Sequence, residues 1–396
     1  MILATISGIL SIAFALVIIR FSRLLWRRFG DFQQLGRPSL TSDFNSELSV
    51  AVIVPARNEE RNIRKCIRRL LEQDYANFKV IIVNDNSTDQ TQEIINEFAE
   101  HPQLLSVQAP PLPPDWSGKC HAIWAGVQSC GDSDWLVFLD ADTFAEPIFL
   151  AATLAYAQAN DLDMLSLLPE QVLGTKSEHI IQPIVFALLQ LFIPFEKVND
   201  PAEPLAYING QCLAVRRQTY TEIGGHNHVS VRGEIAEDVA LGQLTKSAGY
   251  AVQIAYGHQL VFTRMYTNLI EIWNGWARAF LPGLRERWLL LPLAVAAAFG
   301  TVGYFSGALA WGAFVGFPTW VMLVNTSTLV YLLLTLGLIR WGIGQMVAQS
   351  GWYVLTYPLG LLVVCGIALT SLMRHVLGIG TVWKGRRYFV GTYGDG

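Results

Sequence analysis

Charge is what this sequence has least of. Asp, Glu, Lys and Arg make up 15% of the 396 residues, against ~25% in soluble domains. Hydrophobic residues reach 52%, and mean hydropathy is +0.34. Such a shortage excludes a disordered chain, an acidic tail or a coiled coil, all of which need charge where this chain has apolar side chains. Basic excess is missing too: 28 Lys and Arg against 32 Asp and Glu leave a net charge of −4. Nothing therefore grips a phosphate backbone, and nucleic acid is not an expected partner. The five cysteines (Cys66, Cys120, Cys130, Cys212 and Cys365) form no CxxC pair, which argues against a disulfide framework and against structural zinc. No GxGxxG follows the first strand-like run, so a dinucleotide-binding version of an α/β fold is also excluded.

What is present is unevenly spread. Residues 2–19 carry no charge and precede Arg20, Arg23, Arg27 and Arg28. A cleaved signal peptide has its positive charges before the apolar run. The reverse order predicts an uncleaved anchor over residues 1–22, with the arginines on the cytoplasmic side. From Trp288 to Met373 the one charged residue is Arg340, with candidate spans at 289–311, 318–339 and 352–373. A soluble core does not absorb that much uncharged chain. The expected protein is multi-pass, in a bacterial-type plasma membrane, with its middle domain cytoplasmic. Three spans after such a domain place residues 374–396 outside, whereas Arg374, Lys384, Arg386 and Arg387 favour the inside. Either one segment is re-entrant or the span count is off by one.

Residues 46–265 have ordinary composition. Val50–Pro55 and Phe78–Val83 read as buried parallel strands, with helical spacing over Glu59–Gln73 and Thr88–Glu100, the second capped by Ser87 or Thr88. Leu104–Val107 and Trp135–Leu139 supply further strands. Alternation at these lengths predicts a parallel α/β sheet that binds ligands at its carboxyl edge. Acids gather there: Asp85 follows one strand, and Asp140-Ala141-Asp142 follows another. Adjacent acids at a strand mouth are costly unless they hold a cation or face water. Turn or capping acids are the plainer alternative at any one of them. Ile180–Phe195 is apolar, short for a span and interrupted by Pro183 and Pro194, which predicts an interfacial segment over 180–195. Residues 266–287 read as an amphipathic connector.

The ordered set Val54-Pro55-Ala56-Arg57-Asn58-Glu59, Val83-Asn84-Asp85-Asn86-Ser87-Thr88-Asp89, Gly118-Lys119, Asp140-Ala141-Asp142 and Glu237-Asp238 resembles glycosyltransferase family 2 over residues 48–265. The resemblance implies an α/β fold of the GT-A type (Rossmann-like, binding a nucleotide-diphosphate sugar), here with flanking transmembrane helices. It implies that Pro55, Ala56, Glu59 and Asp85 line the base and ribose. A carboxylate at Asp85 suits that role, being a pure acceptor for a uracil N–H. Arg57 and Asn58 would only shape the loop. Asp140 and Asp142 would carry Mg2+ or Mn2+ against the donor diphosphate. Lys119, at a helix start, is placed for a phosphate, although a solvated surface lysine fits the same sequence. Asp238 would be the general base, with Glu237 next in line; acids stabilised by a helix dipole are the structural alternative. No covalent nucleophile is implied, so displacement would be direct and inverting.

On the acceptor side, Gln211, His226 and Arg278 are the candidates. Chain-elongating members carry Gln-x-x-Arg-Trp in the helix after the base. Here Arg278 is present, but Gly275 stands at the glutamine position and Ala279 at the tryptophan position. That weakens a polymer synthase. The membrane layout and the tail Val382-Trp383-Lys384-Gly385-Arg386-Arg387-Tyr388 resemble the hopene-associated and carotenoid glycosyltransferase group. The expected function is transfer of a hexose from a UDP-glucose-like donor to a hydroxyl of a membrane lipid such as a carotenoid or hopanoid. A glycan synthase of the same family and a catalytically silent membrane scaffold remain as alternatives.

Overall fold

The computed structural model describes residues 47–284, 290–346, 351–379 and 381–388, together with scattered positions between 6 and 39. Of the expected anchor over residues 1–22, residues 6, 8–13, 15–17, 19 and 20 are described and are helical, and the rest lie outside the described residues. The chain forms two units, one of Leu35–Val172, Phe195–Met265 and Leu377–Gly396, the other of Met1–Gln34, Leu173–Pro194 and Tyr266–Val376. This division departs from a simple N-to-C partition twice. The segment around 180–195 leaves the α/β unit, and the C-terminal tail joins it.

The α/β unit is built on an eight-stranded sheet in the order β3-β2-β1-β4-β7-β6-β8-β5. Its strands are β1 (Val50–Ala56), β2 (Phe78–Asn84), β3 (Leu104–Gln108), β4 (Trp135–Leu139), β5 (Thr143–Ala145), β6 (Met164–Gln171), β7 (Cys212–Arg216) and β8 (Val252–Thr263). Side chains alternate across a strand, so Val50, Val52 and Val54 enter one core while Ala51 and Ile53 enter the other. Both faces are covered, which is why β1 and β2 read as continuous apolar runs. The Ile63–Leu71 helix buries Ile63, Cys66, Ile67 and Leu70 on one side. The Gly118–Ser129 helix closes the other, where a Cβ at Gly126 would sit 2.6 Å from Ile53 Cγ2.

The sheet is mixed rather than parallel. β1 to β4 run parallel as expected, but β7 is antiparallel to both β4 and β6, and β5 is antiparallel to β8. The second helix is also shorter than its spacing predicts, covering Thr91–Asn96, and no side chain at its N-cap position accepts a hydrogen bond. Asp89 instead holds the Thr91 amide at 3.1 Å and the Thr91 hydroxyl at 2.6 Å.

In the helical unit, Lys176–Phe192 is a helix opened by a Thr175/Glu178 capping box, with Pro183 inside it. It packs with Tyr357–Val376 through a missing side chain, since a Cβ at Gly360 would lie 2.5 Å from the Ile180 carbonyl oxygen. Gly366 admits Trp273 of the Leu269–Leu284 helix in the same way, as small residues do where apolar helices meet. The segment expected to lie interfacially thus has Ile181, Ile184 and Val185 buried. Among the described residues one helix, Tyr357–Val376, is long and apolar enough to cross a membrane. Leu290–Val315 and Thr319–Met346 are also long helices, of 26 and 28 residues.

Candidate active site

The carboxyl ends of β1, β2 and β4 open side by side. Beyond β1, Asn58 adopts φ +52°, a left-handed conformation that asparagine tolerates. The Asn58 amide donates to Ser87 Oγ at 3.0 Å, and its side-chain oxygen accepts from the Thr88 amide at 2.8 Å. Arg57 Nη1 donates to the Asp85 and Asn86 carbonyls at 2.5 and 3.2 Å. Arg57 and Asn58 therefore lash the two loops together. Asp85 is 4% exposed at the end of β2, and its amide donates to the Ala56 carbonyl at 2.8 Å.

At the end of β4 the chain turns sharply, the Thr143 amide reaching the Asp140 carbonyl at 3.0 Å. Gln211 braces that turn from below. Its carbonyl accepts the Asp140 amide at 3.1 Å, and its side-chain Nε2 donates to Thr263 Oγ1 at 3.4 Å.

Lys119 joins this turn to the Glu237–Ser247 helix. Its Nζ lies 2.8 Å from Asp140 Oδ1 and 2.8 Å from Glu237 Oε1, with 17% of the side chain exposed. The sequence alternative of a solvated surface lysine does not hold. Burial alone would make the ammonium easier to lose; Asp140, Glu237 and Asp238 reverse that and hold it protonated well above the ordinary lysine range. The same enclosure acts on the acids. Burial, reinforced by Asp140 and Glu59, lifts Asp142 to about 7. Burial, opposed by Lys119, lifts Glu237 to about 7. Asp238 is raised as well, chiefly by burial.

Glu237 and Asp238 diverge. Glu237 turns inward onto Lys119 and is 4% exposed. Asp238 Oδ2 accepts the Gly210 amide at 2.8 Å and Oδ1 accepts the Val239 amide at 2.8 Å. Gly210 is needed there, since a Cβ on it would lie 2.9 Å from Asp238 Cβ.

Of the acceptor-side candidates, His226 is a core residue rather than a site residue. His226 is 2% exposed, its Nδ1 lies 2.9 Å from Tyr220 Oη, and its ring meets Phe138 edge-on. Burial, helped by Lys119, drops its pKa to about 3, so it is a neutral core residue. Arg278 belongs to the helical unit, on the Leu269–Leu284 helix. In that helix Gly275 has its own reason, because a Cβ there would run into the Tyr266 ring. The elongation-type glutamine has no room.

Sequence reasoning missed Lys384 and Arg386 as neighbours of the site. Lys384 lies in the turn, and Arg386 directly after it, of a hairpin made by β9 (Thr381–Trp383) and β10 (Arg386–Tyr388). Lys384 at φ +48° and Gly385 at φ +80° give the two left-handed central residues of a tight hairpin turn. Lys384 Nζ lies 2.9 Å from Glu59 Oε1. Arg386 forks onto Asp85, its Nη2 at 2.9 Å from Oδ1 and its Nη1 on Oδ2. The Lys-Gly pair between two short runs was the available signal.

Residues 51–222 match the family described as Glycosyl transferase family 2. The chain is 28% identical over 237 residues to a 4,4'-diaponeurosporenoate glycosyltransferase of Staphylococcus haemolyticus (strain JCSC1435), covering 57% of this chain and 60% of that one. It thus spans about three-fifths of that relative's length. The protein of the same name from Staphylococcus aureus (strain MRSA252) is 26% identical over 361 residues, covering 88% of this chain and 90% of the relative. Among solved structures, the mannosyltransferase PcManGT from Pyrobaculum calidifontis, in complex with GDP-Man and Mn2+, superposes with a TM-score of 0.51. The pair is 17% identical and covers 93% of this chain and 99% of that one, a likeness of fold.

Proposed function

We propose that this chain, a glycosyltransferase with a family 2 domain over residues 51–222, moves a hexose from a nucleotide-diphosphate sugar to an apolar, membrane-held acceptor. One observation carries the reading. A single ammonium, Lys119, ties Asp140 after β4 to Glu237 at the start of the Glu237–Ser247 helix, next to Asp238, at 2.8 Å on each side. A donor-side group and a candidate base are thereby held within reach of one reacting centre, as displacement requires.

Asp140 and Asp142 fit a divalent cation. They are two hard oxygen donors at one turn, and the rest of the coordination shell would come from the diphosphate and water. Mg2+ or Mn2+ bound there would neutralise charge on the departing diphosphate. The protein's own groups do the rest. Asp85 and Glu59, with Pro55 and Ala56 beside them, receive the base and ribose of a UDP-like donor. Lys119 keeps Asp140 and Glu237 in place and adds positive charge next to the phosphates. Asp238, aimed by the Gly210 amide, takes the proton of the acceptor hydroxyl as it attacks, and the anomeric centre inverts.

The lipid acceptor rests on the relatives named for diaponeurosporenoate and on the apolar helical unit, which we read as spanning the bilayer more than once with the α/β unit cytoplasmic. Their name supports a second reading of the acceptor group, because a carboxylate arrives already deprotonated and needs no base. Incubating the purified protein with radiolabelled UDP-glucose and carotenoid alcohols or carotenoid acids in mixed micelles tests both. Label entering the lipid phase supports the reading. Sugar release without lipid labelling, or no reaction with any lipid, refutes it.

A further inference from the structure

The C-terminal hairpin occupies the acids that the donor needs. Asp85 has two carboxylate oxygens, and Arg386 takes both, Nη2 at 2.9 Å from Oδ1 and Nη1 on Oδ2. Such a fork-on-fork pair takes a lone pair on each oxygen and puts the guanidinium across the mouth of the carboxylate, where a base N–H would approach. The pair is sheltered, with 5% of the Asp85 side chain and 19% of the Arg386 side chain exposed. Lys384 does the same one loop away, holding Glu59 Oε1 at 2.9 Å and the Asn58 carbonyl at 2.8 Å. Arg57 Nε in turn donates to the Lys384 carbonyl at 2.9 Å, fixing the turn to the β1 loop. Space is reserved as well. A Cβ on Gly118, beside Lys119, would run into the Arg386 guanidinium and lie 3.0 Å from Asp85 Oδ2.

From this geometry we infer that the β9–β10 hairpin is an intramolecular competitor of the donor nucleotide, which binds only when Arg386 and Lys384 release Asp85 and Glu59. The inference rests on the reading of Asp85 as the base-binding acid. A nucleotide then meets a site of which only the open fraction is competent, so its apparent dissociation constant is its intrinsic one divided by that fraction. The turn residues fit a detachable element. Two left-handed positions, one of them a lysine, hold together a hairpin with only three residues in each strand, and a two-stranded hairpin is marginal alone. Its contacts with the unit include two charge pairs, which a charged ligand can replace, and hydrogen bonds to the Lys384 and Asn58 carbonyls.

The test is UDP binding to the full-length protein in detergent, measured by titration calorimetry. Arg386→Ala removes the competitor and leaves Asp85 intact, and UDP is expected to bind at least about fivefold more tightly. Gly385→Val, which cannot hold φ +80° without strain, disturbs the hairpin without touching either acid and is expected to tighten UDP in the same direction. Unchanged or weaker UDP binding in Arg386→Ala overturns the inference. Asp85→Asn placed in the Arg386→Ala background, where the competitor is already gone, checks the premise separately and is expected to weaken UDP relative to Arg386→Ala alone. If it does not, the role of Asp85 is wrong, whatever the hairpin does. A circular dichroism spectrum and melting curve for each variant exclude loss of fold as the cause of any change.

Discussion

Replacing Asp238 by asparagine separates chemistry from architecture, and the structure sets the size of each effect. Both carboxylate oxygens accept backbone N–H groups, from Gly210 and from Val239, each at 2.8 Å. Asparagine keeps one oxygen but presents an NH2 to the other amide. One charge-assisted hydrogen bond is lost and two donors are left facing each other, which costs about 1–3 kcal/mol of stability. The same substitution removes the only proton-accepting charge that Asp238 has. If it serves as base, turnover falls by ~10²–10⁴. Donor binding should be nearly untouched, because Asp238 stands on the Glu237–Ser247 helix, away from the Asp85 and Glu59 loops. The assay pairs label transfer to a lipid alcohol with UDP calorimetry on one preparation. A fall in turnover of less than about tenfold, short of the general-base range, refutes the base role. Equal losses of binding and turnover would move Asp238 to the donor side. With a lipid carboxylate as acceptor the fall should be small, since no proton has to be removed.

Lys119→Met leaves Asp140 and Glu237 facing each other without their cation, so unfolding free energy should drop by about 3 kcal/mol and transfer should be lost. Urea denaturation checks this, and an unchanged midpoint contradicts it. Asp142 and Glu237 titrate near 7 in the fold, above ordinary carboxyl values. The unfolded chain therefore holds fewer protons between about pH 4 and 7, and stability, full below that window, declines as pH rises through it. Melting temperatures across that range should show the decline in metal-free protein, with a shallower slope in Asp142→Asn. Mn2+ should raise the melting temperature at pH 8 in wild type and not in Asp142→Asn, and full activity in chelator would contradict a metal at this turn. Gly275→Ala forces a methyl into the Tyr266 ring and should destabilise the helical unit by about 1–3 kcal/mol, with Tyr266→Leu as the rescuing second change.

The half of the sheet from β1 to β4 was legible because buried parallel strands announce themselves as β-branched runs, each closing on a polar loop. β6, β7 and β8 were not read. β7 spans five residues between Gln211 and Arg217, and its reversal follows from where the chain returns, which no local pattern encodes. The acids of the site were visible as residue types at strand and helix ends. Their partners were not, because Lys119 meets Glu237, and Arg386 meets Asp85, across long stretches of chain. His226 shows the opposite failure. The resemblance put it on the acceptor side, whereas it is buried in the core against the Tyr220 hydroxyl.

The pairing of β5 with β8 has a consequence for how this molecule comes into being. Thr143 follows Asp142 directly, yet its ladder partner is Thr263, so the turn carrying both acids is pinned by a strand made much later in the chain. Closing so long a loop is entropically slow, and pairings of this separation form late in folding. During synthesis the segment up to residue 222 would emerge with β1 to β4 able to associate while β5 and β6 still await β8. The stretch matched to the family is therefore shorter than the cooperative unit. Cut at residue 222, the chain is expected to keep the half-sheet of β1 to β4 and lose the ordered acid turn, a division that hydrogen exchange on the truncated chain would display as protection in β1 and β2 without protection in β5.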